Sequence, residues 1–294
     1  MSVYSLEVAE FKQRNSYFTY GIWIRMKHEN TIKILCFLSA LFLSTFRILM
    51  ANTESIQKFD WKQLIITPVA DEQWFKGRQV LNFYPCDKDY RDSQAARDVV
   101  AKYFQEAKPI NTDAGLLKYG SDQASLDGVY IEMGVCTGRT INFIAALNPE
   151  KIIYGFDSFE GLPESWVRGD INIPKGTFAF KQNDTLPPVL HNVRLVKGMF
   201  VDTLPRFKET VLNDKPIAFL HIDCDIYSST KEVFEILGDR IVPGTIIVFD
   251  EFYNYPGSEN HEFKAFHEFL QKNGKKARYI AFNQYFEQAA VRIE

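Results

Sequence analysis

The chain has 294 residues, 46% hydrophobic and 24% charged, which is enough for one well-cored domain plus an extension. A net charge of −3 excludes the broad basic field of a nucleic-acid partner. Four cysteines, at 36, 86, 136 and 224, form no Cys-x-x-Cys pair and have no histidine cluster beside them, so neither a zinc site nor a disulfide framework is expected. The 25 phenylalanines read as the material of a Phe-rich core.

Residues 1–30 are mixed and polar, without a clear period. Residues 34–46 are almost wholly apolar, preceded by Arg25, Lys27 and Lys33 and closed by Arg47. The run is shorter than the roughly 20 residues of a spanning helix. It begins late for a signal peptide, and no small-x-small site follows it. Met50 reads as a natural start, with residues 1–49 as an extension; a membrane anchor through 34–50 and an amphipathic or core helix are the alternatives. Residues 55–125 read as a helical cover or lid. Within them, Ala95, Ala96, Val99, Val100, Tyr103 and Phe104 recur at helical spacing, and Asp92 or Ser93 is the expected cap.

From Gly128 onward strands and helices alternate. Strands are expected at 129–132, 151–156, 192–197, 216–222 and 245–249, with helices at 140–147, 203–212, 229–237 and 262–273 between and after them. The pair 277–282 and 289–293 is joined too tightly for a crossover and is expected to be antiparallel. Near-continuous apolar strands with helical crossovers predict a doubly wound, mostly parallel, seven-stranded Rossmann-like α/β sheet whose last strand is antiparallel, with the helical cover on its N-terminal side. The domain limits read as 1–54, 55–125 and 126–294.

Polar residues stand where these strands end: Glu132, Asp157, Gly198, Asp223, Asp250 and Glu251. Ligands of such sheets bind beyond the carboxyl ends of the strands, which marks an enzyme rather than a structural module. The turn Gly134-Val-Cys-Thr-Gly138 has one residue too few for a phosphate-cradling Walker loop and carries Arg139 in place of its lysine. Cys136 fills the place where a dinucleotide fingerprint needs its middle glycine, which speaks against an NAD-dependent oxidoreductase. The remaining pattern, Glu-x-Gly-x-x-x-Gly, suits S-adenosylmethionine, which carries a sulfonium and no phosphate. Glu132 is expected to help hold its cationic methionine end, and Asp157 its ribose hydroxyls. A cytosolic cofactor of this kind favours a cytoplasmic protein.

Asp223, Asp250 and Glu251 end neighbouring strands, and three converging carboxylates repel one another unless a cation or proton intervenes. All-oxygen ligation suits Mg²⁺ or Ca²⁺ over zinc, and Mg²⁺, which keeps open positions, would prepare a substrate hydroxyl for proton loss to a carboxylate. Asp225 is expected to cap the helix that follows it, and His221 reads as a core histidine.

Five segments carry a resemblance: Tyr130-Ile-Glu-Met-Gly-Val-Cys-Thr-Gly138, Phe156-Asp-Ser-Phe-Glu-Gly-Leu-Pro163, Gly198-Met-Phe-Val-Asp-Thr-Leu-Pro205, Leu220-His-Ile-Asp-Cys-Asp-Ile-Tyr227 and Val248-Phe-Asp-Glu-Phe-Tyr253. In this order they resemble the macrocin O-methyltransferase family of class I S-adenosylmethionine-dependent methyltransferases. The resemblance implies magnesium at Asp223, Asp250 and Glu251, with Asp223 as base beside the substrate hydroxyl. It implies small-molecule acceptors, sugar hydroxyls of natural products among them, and a tendency to form homo-oligomers. The chain departs from the family at Glu251, where an aspartate is usual. The cofactor set expected from the turn, the strand ends and these segments is Glu132, Met133, Gly134, Val135, Gly138, Thr140, Asp157, Ser158, Phe159 and Gly198. A non-catalytic S-adenosylmethionine-binding scaffold is the competing reading.

Overall fold

The structure is a computed structural model that describes the backbone of one N-terminal hairpin together with residues 93–180 and 186–294. The chain separates into two compact units, Met1–Gln57 and Lys58–Glu294. In the first, β1 (Leu6–Phe11) pairs antiparallel with β2 (Thr19–Ile24), Leu6 opposite Ile24. The apolar run 34–46, the expected start at Met50 and residues 55–92 of the expected cover lie outside the described residues.

The second unit opens with α1 (Gln94–Tyr103), whose cap is Ser93: its side-chain oxygen accepts from the Ala96 N–H at 3.1 Å. There follow β3 (Lys108–Ile110), α2 (Asp113–Gln123), β4 (Val129–Met133), α3 (Arg139–Leu147) and β5 (Ile153–Asp157). A hairpin of β6 (Trp166–Arg168) and β7 (Ile171–Ile173) comes next, then β8 (Val193–Lys197) and α4 (Phe200–Phe207), which runs into a π-helical turn at Lys208–Leu212. The unit finishes with β9 (Ile217–Ile222), α5 (Tyr227–Leu237), β10 (Ile246–Phe249), α6 (Glu262–Asn273), β11 (Ala277–Asn283) and β12 (Ala289–Ile293).

The main sheet runs β3-β11-β12-β10-β9-β4-β5-β8. Only β12 opposes its neighbours; β4, β5, β8, β9 and β10 are parallel, as is the β3–β11 pair. The sheet therefore has eight strands rather than the expected seven. The extra one is β3, whose Lys108-Pro109-Ile110 lies beside Ala281, Phe282 and Asn283. Residues 108–123, expected as cover, thus contribute a strand and a helix to the body of the unit.

Central strands β9 and β10 are buried at every position, which explains their unbroken apolar runs Ile-Ala-Phe-Leu-His-Ile and Ile-Ile-Val-Phe. One face of the sheet is covered by α4, α5 and α6, where Leu204, Phe207, Val233, Phe234, Phe266 and Phe269 pack against Ile131, Phe156 and Phe249. The other is covered by α2 and α3, where Leu116, Leu117, Ile141 and Ile144 meet Tyr130, Ile153 and Phe219. Each such side chain contributes about 2 kcal/mol on burial. Among the described residues, Phe219, Phe234, Phe249, Phe252 and Phe269 are core: Phe234 stacks on Phe269 with centroids 4.6 Å apart, and Phe249 lies 4.8 Å from Phe252.

Candidate functional site

The parallel strands end on one side of the sheet, and a cavity of about 780 Å³ opens there. Its floor is the turn after β4. Gly134 and Gly138 have φ values of 90° and 80°, the left-handed region that glycine enters freely. Between them Cys136 adopts φ 47°. Phe159, Phe178 and Asp225, all close by, also have positive φ, so non-glycine strain gathers at this edge.

Asp157, the last residue of β5, holds the turn. Its Oδ2 accepts from the Val135 and Cys136 N–H groups, each at 2.8 Å, and its Oδ1 accepts from the Phe159 N–H at 2.6 Å. The amides that a phosphate-binding loop would offer to an anion are therefore engaged by a carboxylate. A diphosphate would face Asp157 and Asp223 across the cavity, whereas a sulfonium ligand with a ribose would not be repelled; the donor set fits S-adenosylmethionine. Burial and the carboxylates of Asp157, Asp223 and Asp225 push the Cys136 thiol up to about 12, so this sulfur is not a thiolate nucleophile.

Of the residues expected to meet the cofactor, Gly134, Val135, Thr140, Asp157, Ser158 and Gly198 line the cavity. Gly138 is the N-cap of α3. The side chains of Met133 and Phe159 are buried in the two core clusters. Glu132 differs most from expectation: it is fully buried and does not face the cavity. Thr140 Oγ1 donates to its Oε1 at 2.9 Å, and His221 Nδ1 lies 3.1 Å from its Oε2. Burial pushes the Glu132 carboxyl up, and His221 and Thr140 counter that. The carboxylate ties α3 and β9 to β4 behind the turn, so the methionine end of a cofactor needs other partners.

The acids of β9 and β10 do converge. One ligand atom each from Asp223, Asp250 and Glu251 lies within 4.8 Å of the others. Burial first, then the carboxylates of Asp250 and Asp225, push Asp223 well above the usual range; burial and Asp250 do the same to Glu251. Glu251 Oε2 is buried with no hydrogen-bond partner among the described residues. Crowded oxygen donors, one of them orphaned, fit Mg²⁺.

Two further acids were not anticipated here. Asp225 does not cap α5, whose N-cap is Ile226 with no side-chain bond. It lines the cavity instead, and burial and Asp250 raise it to about 7. Glu262 is fully buried at the start of α6, where its Oε2 accepts from the Glu251 N–H at 3.2 Å. It reads in the sequence as an ordinary first-turn acid.

The hairpin β6–β7 supplies another wall. The Arg168 guanidinium lies over the rings of Trp166 (4.5 Å) and Tyr255 (4.2 Å) and donates to Glu287. Gly169-Asp170 between the two short strands is a hairpin signal in the sequence. Asp113 and Arg139 also line the cavity as an ion pair of 2.6 Å. Among the described residues no helix is long and apolar enough to cross a membrane.

A parallel sheet with one antiparallel strand, a strained glycine turn after its central strand and an acid closing the next strand define a Rossmann-like methyltransferase fold. Residues 121–279 match the family described as macrocin-O-methyltransferase (TylF), and the chain belongs to that family. One relative is the 8-demethyl-8-(2,3-dimethoxy-alpha-L-rhamnosyl)-tetracenomycin-C 4'-O-methyltransferase of Streptomyces olivaceus, 28% identical over 159 residues. The match covers 46% of this chain and 58% of that relative's length. Among solved structures, the calicheamicin methyltransferase CalS11 superposes with a TM-score of 0.52 at 23% identity, covering 73% of this chain and 95% of its own.

Proposed function

We propose that the protein is an S-adenosylmethionine-dependent O-methyltransferase, assisted by Mg²⁺, acting on a hydroxyl of a sugar or other natural-product moiety. The observation that carries this reading is the single cavity that joins the Gly134–Gly138 turn and Asp157 to the acids Asp223, Asp250 and Glu251. The relative named for 4'-O-methylation of a rhamnosyl tetracenomycin supports a glycosyl hydroxyl as acceptor. We also take residues 126–294, together with β3 and α2 that pack into the same sheet, as the catalytic module, and the cytoplasm, where the donor is made, as its setting.

When bound, S-adenosylmethionine supplies an electrophilic methyl on a sulfonium, and Mg²⁺ supplies positive charge that acidifies a hydroxyl. The protein's own task is mainly placement, since an in-line transfer is governed by the approach of donor and acceptor. Asp157 is fixed by three backbone N–H groups and presents its remaining lone pairs to ribose hydroxyls. Asp250 and Glu251, with Asp223, would hold the cation. Asp223, beside the acceptor hydroxyl, would take its proton.

The test is transfer of labelled methyl from S-adenosylmethionine to a panel of glycosides with Mg²⁺ present. Asp223→Asn should lower kcat by about 10² to 10⁴. Donor binding without transfer to any hydroxyl would favour the scaffold reading, and no donor binding at all would sink both.

A further inference from the structure

The three converging acids account for one hydroxyl of an acceptor and leave the rest of that molecule without a partner. Asp157 closes β5 on the donor side, whereas Asp223 and Asp250 follow β9 and β10 on the other side of β4. The next strand beyond β10 is β12, and Phe286, Glu287 and Gln288, which lead into it, line the cavity. The hairpin β6–β7 reaches the same place, because Arg168 donates to Glu287.

Both members of this pair are held in place from behind. His261 Nε2 donates to the Val167 carbonyl at 2.8 Å, and a Cβ built on Gly169 would stand 2.6 Å from the Pro256 Cβ, so the hairpin rests against the loop after β10. The Glu287 carbonyl accepts from the Phe252 and Tyr253 N–H groups at 2.9 and 3.1 Å. The guanidinium lies flat over Trp166 and Tyr255, and the Tyr255 hydroxyl donates to the Glu251 carbonyl at 3.4 Å. Arg168 therefore stands one tyrosine ring away from the acids. The two side chains are 13% and 20% exposed, and both line the cavity. Among the described residues each is the other's only hydrogen-bond partner, and no unpartnered polar atom of either is sealed in the interior. An ion pair so withdrawn from water is costly in desolvation and weak evidence for stability alone.

We propose that Arg168 and Glu287 form an acceptor subsite that grips a vicinal diol of a glycosyl ring, beside the hydroxyl that receives the methyl. The inference rests on the O-methyltransferase reading. A guanidinium only donates and a carboxylate only accepts. Side by side, they match two neighbouring hydroxyls, one accepting from Arg168 and the other donating to Glu287, through charge-assisted bonds. The pair is neutral as a unit, so it selects hydroxyls and not an anion. Ile173 and Phe178 of the same wall offer apolar surface to the C–H face of a ring, and the few polar groups among them fix its orientation. The acceptor thus carries a diol in addition to the oxygen that is methylated.

The test titrates the full chain, saturated with S-adenosylhomocysteine and Mg²⁺, with three probes followed by ligand-observed NMR. They are p-nitrophenyl α-L-rhamnopyranoside, its 2,3-dideoxy analogue, which has no vicinal diol, and 4-nitrocatechol, whose diol is planar. Wild type should bind the rhamnoside at least about tenfold more tightly than either of the others. Arg168→Gln and Glu287→Gln should each weaken the rhamnoside by about tenfold or more while leaving S-adenosylhomocysteine within about twofold. The double variant Arg168→Gln/Glu287→Gln keeps an amide pair of similar shape for folding and should lose the preference for the diol. Equal binding of rhamnoside and dideoxy analogue overturns the proposal, and catechol binding as tight as the rhamnoside overturns the glycosyl ring. An equal loss of rhamnoside and S-adenosylhomocysteine in the variants would mark a purely structural pair and overturns it too. If wild type binds S-adenosylhomocysteine but not the rhamnoside, this inference falls alone. If it does not bind S-adenosylhomocysteine, the methyltransferase reading falls first and this inference with it.

Discussion

Gly134 and Asp223 meet backbone to backbone. A Cβ built on Gly134 would stand 1.7 Å from the Asp223 carbonyl oxygen, and the Asp223 N–H donates to the Met133 carbonyl at 2.8 Å. The turn proposed to cradle the donor and the residue proposed as base are thus joined through their backbones. Gly134→Ala must move backbone and also occupy φ 90°. It should cost more than about 3 kcal/mol and abolish donor binding, read by urea unfolding and titration. A stable, donor-binding Gly134→Ala protein would contradict the contact.

Glu132 is expected to behave as a core residue. Glu132→Ala strands His221 and Thr140 in the interior and should cost about 3 kcal/mol. Glu132→Gln keeps the shape and should cost about 1 kcal/mol, with donor affinity down by less than about tenfold. A full-stability Glu132→Gln protein that no longer binds donor would place the carboxylate in the cavity after all.

The acidic cluster predicts a pH dependence. Burial and Asp250 raise Asp225 from 3.8 to about 7, and burial raises Glu287 from 4.5 to about 7. Between those limits each group binds more protons folded than unfolded, so stability falls as pH rises, by up to about 1.4 kcal/mol per pH unit per group. In chelator the melting temperature should be higher near about pH 5 than near about pH 7.5, and Asp225→Asn should reduce the drop. A melting temperature that climbs over that interval, in wild type and variant alike, would contradict the assignment.

Mg²⁺ should then stabilise the folded chain at neutral pH, by about 2.7 kcal/mol at a hundredfold excess over its dissociation constant. Asp250→Ala should remove most of that gain. Equal Mg²⁺ stabilisation of both proteins, read by thermal melts, would remove the metal from these carboxylates.

Cys136 should resist alkylation. With its thiol pushed up to about 12, the thiolate fraction near about pH 8 is on the order of 10⁻⁴, and the rate with iodoacetamide should climb about tenfold per pH unit above that. Rapid, pH-independent labelling tracked by mass spectrometry would show the opposite.

The sheet was legible because β9 and β10 are apolar at nearly every position, which only a strand covered on both faces requires. The acids at the strand ends were legible because ligands of such sheets gather there. What escaped depended on contacts distant in sequence. Lys108-Pro109-Ile110 has no strand pattern of its own and is a strand only because β11 lies beside it. The pattern announced an acid at the end of β4, but not that Thr140 and His221 would claim it. Asp225 looked like a cap because serines and threonine follow it, yet its φ of 65° turns it toward the cavity. Arg139 and Asp113 lie 26 residues apart, and no local pattern links them.

β3 has a consequence outside the cavity. Among the described residues it is the edge of the sheet next to β11, and an edge strand offers unpaired N–H and C=O groups to any passing chain. Here the edge is three residues long, begins with Lys108 and carries Pro109, which has no N–H to donate. The last three residues of β11, Ala281, Phe282 and Asn283, are paired by a neighbour too short and too proline-bound to template another. The strand that carries the chain toward the cavity also protects this end of the sheet's edge against edge-to-edge aggregation.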